Sequence, residues 1–131
     1  LIDSDAIQNQ RKEMIGELIM RCFHARTNAH VLHLTTTSYA KHKALNEFYD
    51  EIVGLVDDLA EAYMGEYGVP ESFPGRFSLA TDPIVMITEL DQWIKANRHK
   101  CWDSDDTHLD NIVDEIVQLN RSTLYKLKRL K

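Results

Sequence analysis

The fold is decided by residues 65–82, which read GEYGVPESFPGRFSLATD. This stretch holds three Gly and two Pro in eighteen residues, a composition typical of a loop, and it separates segments with helical periodicity. Eighteen extended residues reach roughly 60 Å. The segment before the loop, read as a helix of about 26 residues, is only about 39 Å long at 1.5 Å per residue. The loop is therefore long enough to travel the full length of a helical bundle.

Four segments carry apolar residues at three- and four-residue steps, the pattern of amphipathic helices. The predicted helices span 4–34, 39–65 and 83–99, and a fourth begins after the acidic stretch 103–106 and runs towards the end of the sequence. The links between the first and second and between the third and fourth are short. The expected core residues are Ile15, Leu18, Ile19, Cys22, Ala25, Ala29, Leu45, Phe48, Ile52, Leu55, Leu59, Ile84, Ile87, Leu90, Ile94, Leu109, Ile112, Val113, Ile116 and Leu119.

This order of short, long and short links predicts an all-α protein, a ferritin-like four-helix bundle with one long crossover. The length of 131 residues fits a single domain over 1–131, and 44% apolar residues can fill its core. Had the long link been a tight hairpin, the second and third helices would instead be antiparallel neighbours.

Charge and composition exclude several classes of protein. Fifteen basic against 21 acidic side chains give a net charge of −6, which argues against a general nucleic-acid surface. No apolar run approaches the roughly 20 residues of a membrane span, and no charged-then-apolar leader opens the sequence. Only Cys22 and Cys101 are present, too few for a disulfide framework. We therefore expect a soluble protein of the reducing cytoplasm.

The second predicted helix carries a polar stripe turned away from its core positions: His42, Asn46, Asp50, Asp57 and Glu61. Such a stripe is ordinarily a solvated helix face. His42 and Asp57 are fifteen residues apart, about 22 Å along the axis, so one helix cannot bring both to the same metal ion. An antiparallel copy of the helix from a second chain can place its Asp57 at the same metal ion as His42 of the first chain. A two-fold dimer would form two identical sites, each with His42 from one chain and both carboxylates from the other.

These residues resemble those of the Dps miniferritins, the DNA-binding proteins from starved cells. The match comprises a His near the end of the first helix, His42, and residues 57–61, DDLAE, which are similar to the family's Asp-x-x-Ala-Glu element. The acidic link into the fourth helix and Tyr125 are also similar. The resemblance implies a ferroxidase that oxidises Fe(II) with hydrogen peroxide or oxygen and stores iron in an oligomeric cage. In its short length, the chain also resembles ferritin-like proteins encoded by phages.

The same resemblance implies the site residues. His42, Asp57 and Glu61 are the expected ligands, together with one histidine of the first helix. His30 precedes His42 by the family's usual twelve residues, whereas His33 lies in a Leu-His-Leu context similar to the family's Leu-His-Trp. We favour His33 and keep His30 as the alternative. Neutral imidazole and hard carboxylate oxygens suit Fe(II) and Fe(III), with zinc as a substitute.

Three positions depart from the family pattern. Leu34 replaces the usual Trp, Asn46 stands where an acidic ligand is usual, and Ala62 replaces the Arg that commonly follows the Ala-Glu pair. The changes at Leu34 and Asn46 favour a second hypothesis, a non-catalytic ferritin-like structural or interaction protein that uses the stripe only as a dimer interface. Either hypothesis implies a homo-oligomer with a two-fold interface, and the sequence leaves open whether two or twelve chains assemble.

Other candidate sites are less favoured. A zinc site lacks paired Cys or His at a recognised spacing, and a di-iron centre inside the bundle lacks the Glu-x-x-His pairs it would need. The residues that could suggest zinc are His99, Cys101, Asp103, Asp105 and His108. DNA binding through the basic C-terminal segment is less favoured than helix-end stabilisation, because cations suit the negative end of a helix dipole. The basic residues are Arg121, Lys126, Lys128, Arg129 and Lys131.

Overall fold

The computed structural model describes residues 4–131, with side chains from residue 5 onward, and the predicted 1–131 domain therefore includes three residues outside the described range. Four helices follow one another: α1 (Ser4–Thr35), α2 (Tyr39–Tyr67), α3 (Pro83–Cys101) and α4 (Thr107–Arg129). No strand occurs within the described residues. The predicted all-α four-helix bundle is confirmed.

Local sequence sets the helix ends. The Ser38 hydroxyl accepts a hydrogen bond from the Lys41 N–H at 3.2 Å and so caps α2. The Asp82 carboxylate accepts hydrogen bonds from two first-turn N–H groups of α3, which begins with a proline. Gly68 ends α2 with φ of 88°, a value that suits glycine, and its N–H bonds to the Met64 carbonyl at 2.9 Å.

The four helices pack around one continuous core. α1 and α4 each contact both α2 and α3, whereas α2 and α3 do not contact each other within residues 4–131, so they occupy opposite corners. Leu55, Ile84 and Ile112, expected in the core, are half-buried at its edge. Tyr63 and Trp102 are fully buried additions that the periodicity did not predict. Over the described part of the chain, no helix has a stretch long and apolar enough to cross a membrane.

The crossover lies along α1. Gly16 permits this close approach, because a Cβ there would lie 1.8 Å from the Ser72 carbonyl oxygen. Farther along α1, the buried Asn28 side chain donates to the Ser78 carbonyl at 3.2 Å and accepts from the Ala80 N–H at 2.9 Å. The crossover thus advances in the direction of α1. It carries the chain to the end of the bundle where α2 begins, so α2 and α3 are parallel, and the predicted long crossover is confirmed.

Candidate functional site

Two histidines face each other where α1 passes into α2. His33 lies in the last turn of α1 and is buried, and His42 lies on the first turns of α2 and is exposed. Their rings stack with centroids 3.7 Å apart and planes 20° apart. The Nδ1 atom of His33 lies 2.8 Å from the His42 carbonyl oxygen, and the Nδ1 atom of His42 lies 2.8 Å from the His33 carbonyl oxygen. The two residues therefore exchange a reciprocal pair of hydrogen bonds.

The end of α1 explains part of this pairing. The last four carbonyl groups of a helix have no partner within it, and the His33 carbonyl is one of these in a helix that ends at Thr35. His42 satisfies it. Since a carbonyl oxygen only accepts, each Nδ1 must carry the proton and donate. In the neutral form of each ring, the lone pair then resides on Nε2, the atom available to a metal ion.

His30 takes a different position. Its ring is exposed and stacks on Tyr49, with centroids 4.2 Å apart and planes 12° apart, whereas Tyr49 meets the His33 ring edge-on at 5.3 Å. The Tyr49 hydroxyl donates to Asn46 Oδ1 at 2.5 Å, and Asn46 Nδ2 donates to Asp50 Oδ2 at 3.2 Å. Of the two candidate histidines, His30 and His33, His33 is the one that contacts His42. The polar row continues along α2 through Asn46 and Asp50.

Asp57 and Glu61 lie farther along the same helix. Both are exposed, and neither forms a hydrogen bond or ion pair with another part of the chain from residue 5 onward. Fifteen residues separate His42 from Asp57, about 22 Å along the helix axis. A single chain therefore brings His33 and His42 together and leaves the two predicted carboxylate ligands apart from them.

The basic C-terminal segment contributes to packing. Lys126 Nζ lies 2.8 Å from Glu47 Oε2 and lowers the pKa of that carboxyl through a hydrogen bond and its charge. Arg121 Nε lies 3.4 Å from Asp91 Oδ2 on α3. Two of the five basic groups thus form ion pairs between α4 and neighbouring helices. Their predicted role at the end of the helix dipole stays a prediction, as does DNA binding.

The residues considered for zinc are largely dispersed. His99 Nε2 lies 3.0 Å from Asp110 Oδ1, and Cys101 is buried with its thiol directed to the Asn97 carbonyl at 3.6 Å. Burial raises the pKa of the Cys101 thiol to about 12. Among the described residues, His108 alone of that set joins a group of possible metal ligands, with Glu66 and Asp106. Sequence reasoning missed this group because Glu66 and His108 are 42 residues apart.

Residues 33–127 match the model of a protein family described as a family of unknown function, DUF5856. The chain belongs to this family. The match to DUF5856 includes His33, His42 and both candidate carboxylates, whereas His30 lies outside it. The family's description contains no reference to iron or to Dps proteins.

A relative of this DUF5856 chain comes from Enterobacteria phage T4. It is described as an uncharacterized 14.6 kDa protein in the mobD-ri intergenic region and is 35% identical over 89 residues, which are 66% of this chain and 70% of that protein. The relative supports the phage link expected from the resemblance. No solved structure matches the chain significantly.

Proposed function

We propose that this chain is a miniferritin-like ferroxidase that binds Fe(II) between two-fold-related subunits, oxidises it and stores the product in an oligomeric cage. The observation that carries the proposal is the reciprocal hydrogen bonding of His33 and His42. Metal-binding histidines characteristically donate their second ring N–H to a carbonyl or carboxylate, which fixes the tautomer and the ring orientation. Both rings of the pair already have this arrangement.

The proposal takes its carboxylates from a second chain. Asp57 and Glu61 are exposed on the α2 surface that also carries His42, and no side chain from residue 5 onward forms an ion pair with them. If two copies of α2 pack antiparallel, His42 of one approaches these carboxylates of the other, and the two-fold axis repeats the site. Each site then has two imidazole nitrogens and two carboxylate oxygens. This donor set suits Fe(II) and its ferric product, and Zn(II) is the expected competitor.

The oxidation balances with peroxide as the co-substrate. Each Fe(II) gives up one electron, and one hydrogen peroxide accepts two, so that its O–O bond breaks and two hydroxide ions form. With oxygen instead, four Fe(II) ions and four protons are consumed for each O2 reduced to two waters. The net charge of −6 favours approach of the cation. The free and buried state of Cys22 and Cys101 is compatible with the proposed cytoplasmic location.

The proposal is tested by following Fe(II) oxidation with hydrogen peroxide in the full chain and in two variants. We expect Asp57→Asn and Glu61→Gln to keep the oligomer while losing most of the catalysed rate. Asp58→Asn is the matched control, because Asp58 is also exposed but lies about 100° around the helix from Asp57. A chain that oxidises Fe(II) no faster than buffer, or three variants with equal rates, contradicts the proposal.

The alternative is a non-catalytic ferritin-like structural or interaction protein in which the α2 surface is only a dimer interface. Asn46 favours it, because its side chain is engaged by Tyr49 and Asp50 and supplies no negative charge. In this case Asp57→Asn changes neither metal binding nor thermal stability in the presence of metal, although the dimer still forms. The same set of variants therefore separates the two functions.

A further inference from the structure

The last turn of α2 meets the start of α4 at the far end of the bundle from the His33–His42 pair. Glu66, Asp106 and His108 come together here, with one ligand atom of each lying within 4.8 Å of the others. His108 Nε2 is 2.9 Å from Glu66 Oε2. The group lies about 36 Å along α2 from His42, from the helical rise over 24 residues. It is therefore independent of the proposed ferroxidase site.

Two carboxylates lie close together at this end of the bundle. The last turn of α2 contains Glu66 and no basic residue, so a carboxylate lies at the negative end of the helix dipole. The Asp106 carboxylate is held close to it. The nearby guanidinium of Arg11 is 3.7 Å from Asp103, to which it is paired. Two carboxylates held together without a cation repel each other, and a bound metal ion would remove this repulsion.

The Asp106 side chain does not form the capping hydrogen bond that is usual at its position. It occupies the N-cap position of α4, where an Asp side chain normally accepts a hydrogen bond from the first turn, yet its carboxylate makes no such bond. The carboxylate accepts a hydrogen bond from the Tyr67 hydroxyl instead. The Asp106 carboxylate is therefore directed away from the first turn of α4.

Tyr63 is a buried neighbour of Tyr67, whose hydroxyl contacts Asp106. Tyr63 is fully buried, its ring centroid is 4.9 Å from that of Tyr67, and its Oη makes no hydrogen bond within the described residues. Burial, with smaller contributions from Cys101 and then Asp106, raises the pKa of Tyr63 to about 12, so the hydroxyl keeps its proton. A buried hydroxyl that keeps its proton needs an acceptor, and an ordered water is the usual one.

We propose that Glu66, Asp106 and His108 bind a divalent transition-metal ion of the zinc class, with water completing its coordination. The imidazole nitrogen distinguishes the site from one for Mg²⁺ or Ca²⁺, which prefer oxygen ligands throughout. Three protein ligands leave at least one position open to water. Binding replaces the contact between His108 and Glu66 by two metal bonds and joins the end of α2 to the start of α4.

Zinc titration calorimetry on the full chain carrying Asp57→Asn tests the site, since this substitution weakens the proposed ferroxidase site and leaves this one intact. We expect one Zn²⁺ per chain at this end of the bundle, and a dissociation constant at least about tenfold larger when His108→Gln is added. His99→Gln is the matched control. The His99 side chain is 53% exposed against 55% for His108, and its Nε2 also contacts a carboxylate.

A second measurement, the melting temperature with and without zinc, distinguishes loss of the site from misfolding of a variant. Zn²⁺ should raise the melting temperature of the Asp57→Asn chain and of its His99→Gln derivative, but not of derivatives with His108→Gln or Glu66→Gln. Equal zinc affinity in the His108→Gln and His99→Gln chains would overturn the site, as would equal competition by Mg²⁺. Neither result depends on Fe(II) oxidation, so this site and the ferroxidase proposal can fail separately.

Discussion

Asn46 accepts a 2.5 Å hydrogen bond from the Tyr49 hydroxyl while its own amide donates to Asp50 at 3.2 Å. These two hydrogen bonds fix the orientation of the Asn46 amide group. The group lies on the surface of α2 that the proposed dimer would cover. An aspartate at this position could still accept from Tyr49, but it would face Asp50 without a proton to donate.

We therefore predict that Asn46→Asp tightens metal binding and destabilises the metal-free chain. Like charges four residues apart on a helix lower its stability by about 0.2–0.5 kcal/mol. A bound cation attracts both carboxylates, so the second charge is favourable when metal is present. Zinc titration measures the first change and urea denaturation without metal measures the second. Asn46→Ala, which removes both hydrogen bonds without adding charge, is the control. Equal metal affinity in Asn46→Asp and Asn46→Ala would contradict the prediction.

Asp50 should oppose dimer formation. If α2 pairs with its copy so that His42 lies opposite Asp57, the midpoint of the pairing falls next to Asp50, and the two Asp50 carboxylates approach each other across the axis. Asp50→Asn removes this repulsion, so we predict a several-fold tighter dimer whose strength depends less on salt. Sedimentation velocity at two ionic strengths measures both effects. Glu51→Gln, exposed on another side of α2, should leave the dimer unchanged, and an equal effect there would exclude the pairing.

Gly16 tests the path of the crossover. A Cβ at this position would collide with the Ser72 carbonyl oxygen, so Gly16→Ala must displace the backbone of the crossover. We predict a loss of about 1–3 kcal/mol in the free energy of unfolding. Gly65→Ala is the matched control, because a Cβ at Gly65 meets nothing within 4 Å and the change should be neutral or stabilising by up to about 1 kcal/mol. Urea denaturation of both variants checks the difference, and equal effects would place the crossover elsewhere.

Asp110 should make stability depend on pH. Burial alone would raise the pKa of Asp110, but hydrogen bonds from His99 and Trp102 and the charge of Arg98 outweigh it and hold the pKa below its usual range. A depressed folded-state pKa gives stability that is present above the unfolded value of about 3.9 and is lost as the pH falls through the folded value.

We predict that Asp110→Asn lowers the free energy of unfolding by about 1–3 kcal/mol at neutral pH. The deficit should shrink below about pH 4, because the parent carboxyl then becomes protonated. Guanidinium denaturation at a series of pH values measures it. Asp114→Asn is the comparison, since Asp114 pairs with Arg98 but its side chain is 59% exposed, and such surface pairs contribute about 0–1 kcal/mol. A deficit that stays constant with pH would contradict the prediction.

Much of the fold follows from local chemistry. Helical periodicity and cap residues such as Ser38 and Asp82 predict where helices begin, and the Gly- and Pro-rich segment predicts the crossover. The predicted end of α2, near Gly65, falls two residues short of Tyr67, because Gly68 with its positive φ is the residue that ends the helix. Helix ends shift by this much because isolated glycines are tolerated inside helices.

The candidate sites were only partly predictable. The spacing along α2 indicates His42, but the exchange of hydrogen bonds with His33 depends on how the three-residue link orients two helix ends. The group of Glu66, Asp106 and His108 joins elements far apart in the chain, and no periodicity within one helix indicates such a meeting. Trp102 is another example, since it lies outside every helix and its burial depends on tertiary packing.

The parallel arrangement of α2 and α3 bears on how the chain folds. α1 with α2, and α3 with α4, form two helical hairpins whose short links make their contacts local, whereas the packing of α1 on α3 and of α2 on α4 joins distant parts of the chain. Closing a long loop costs entropy before its contacts are gained. We therefore expect the hairpins to form first and their docking to limit the folding rate.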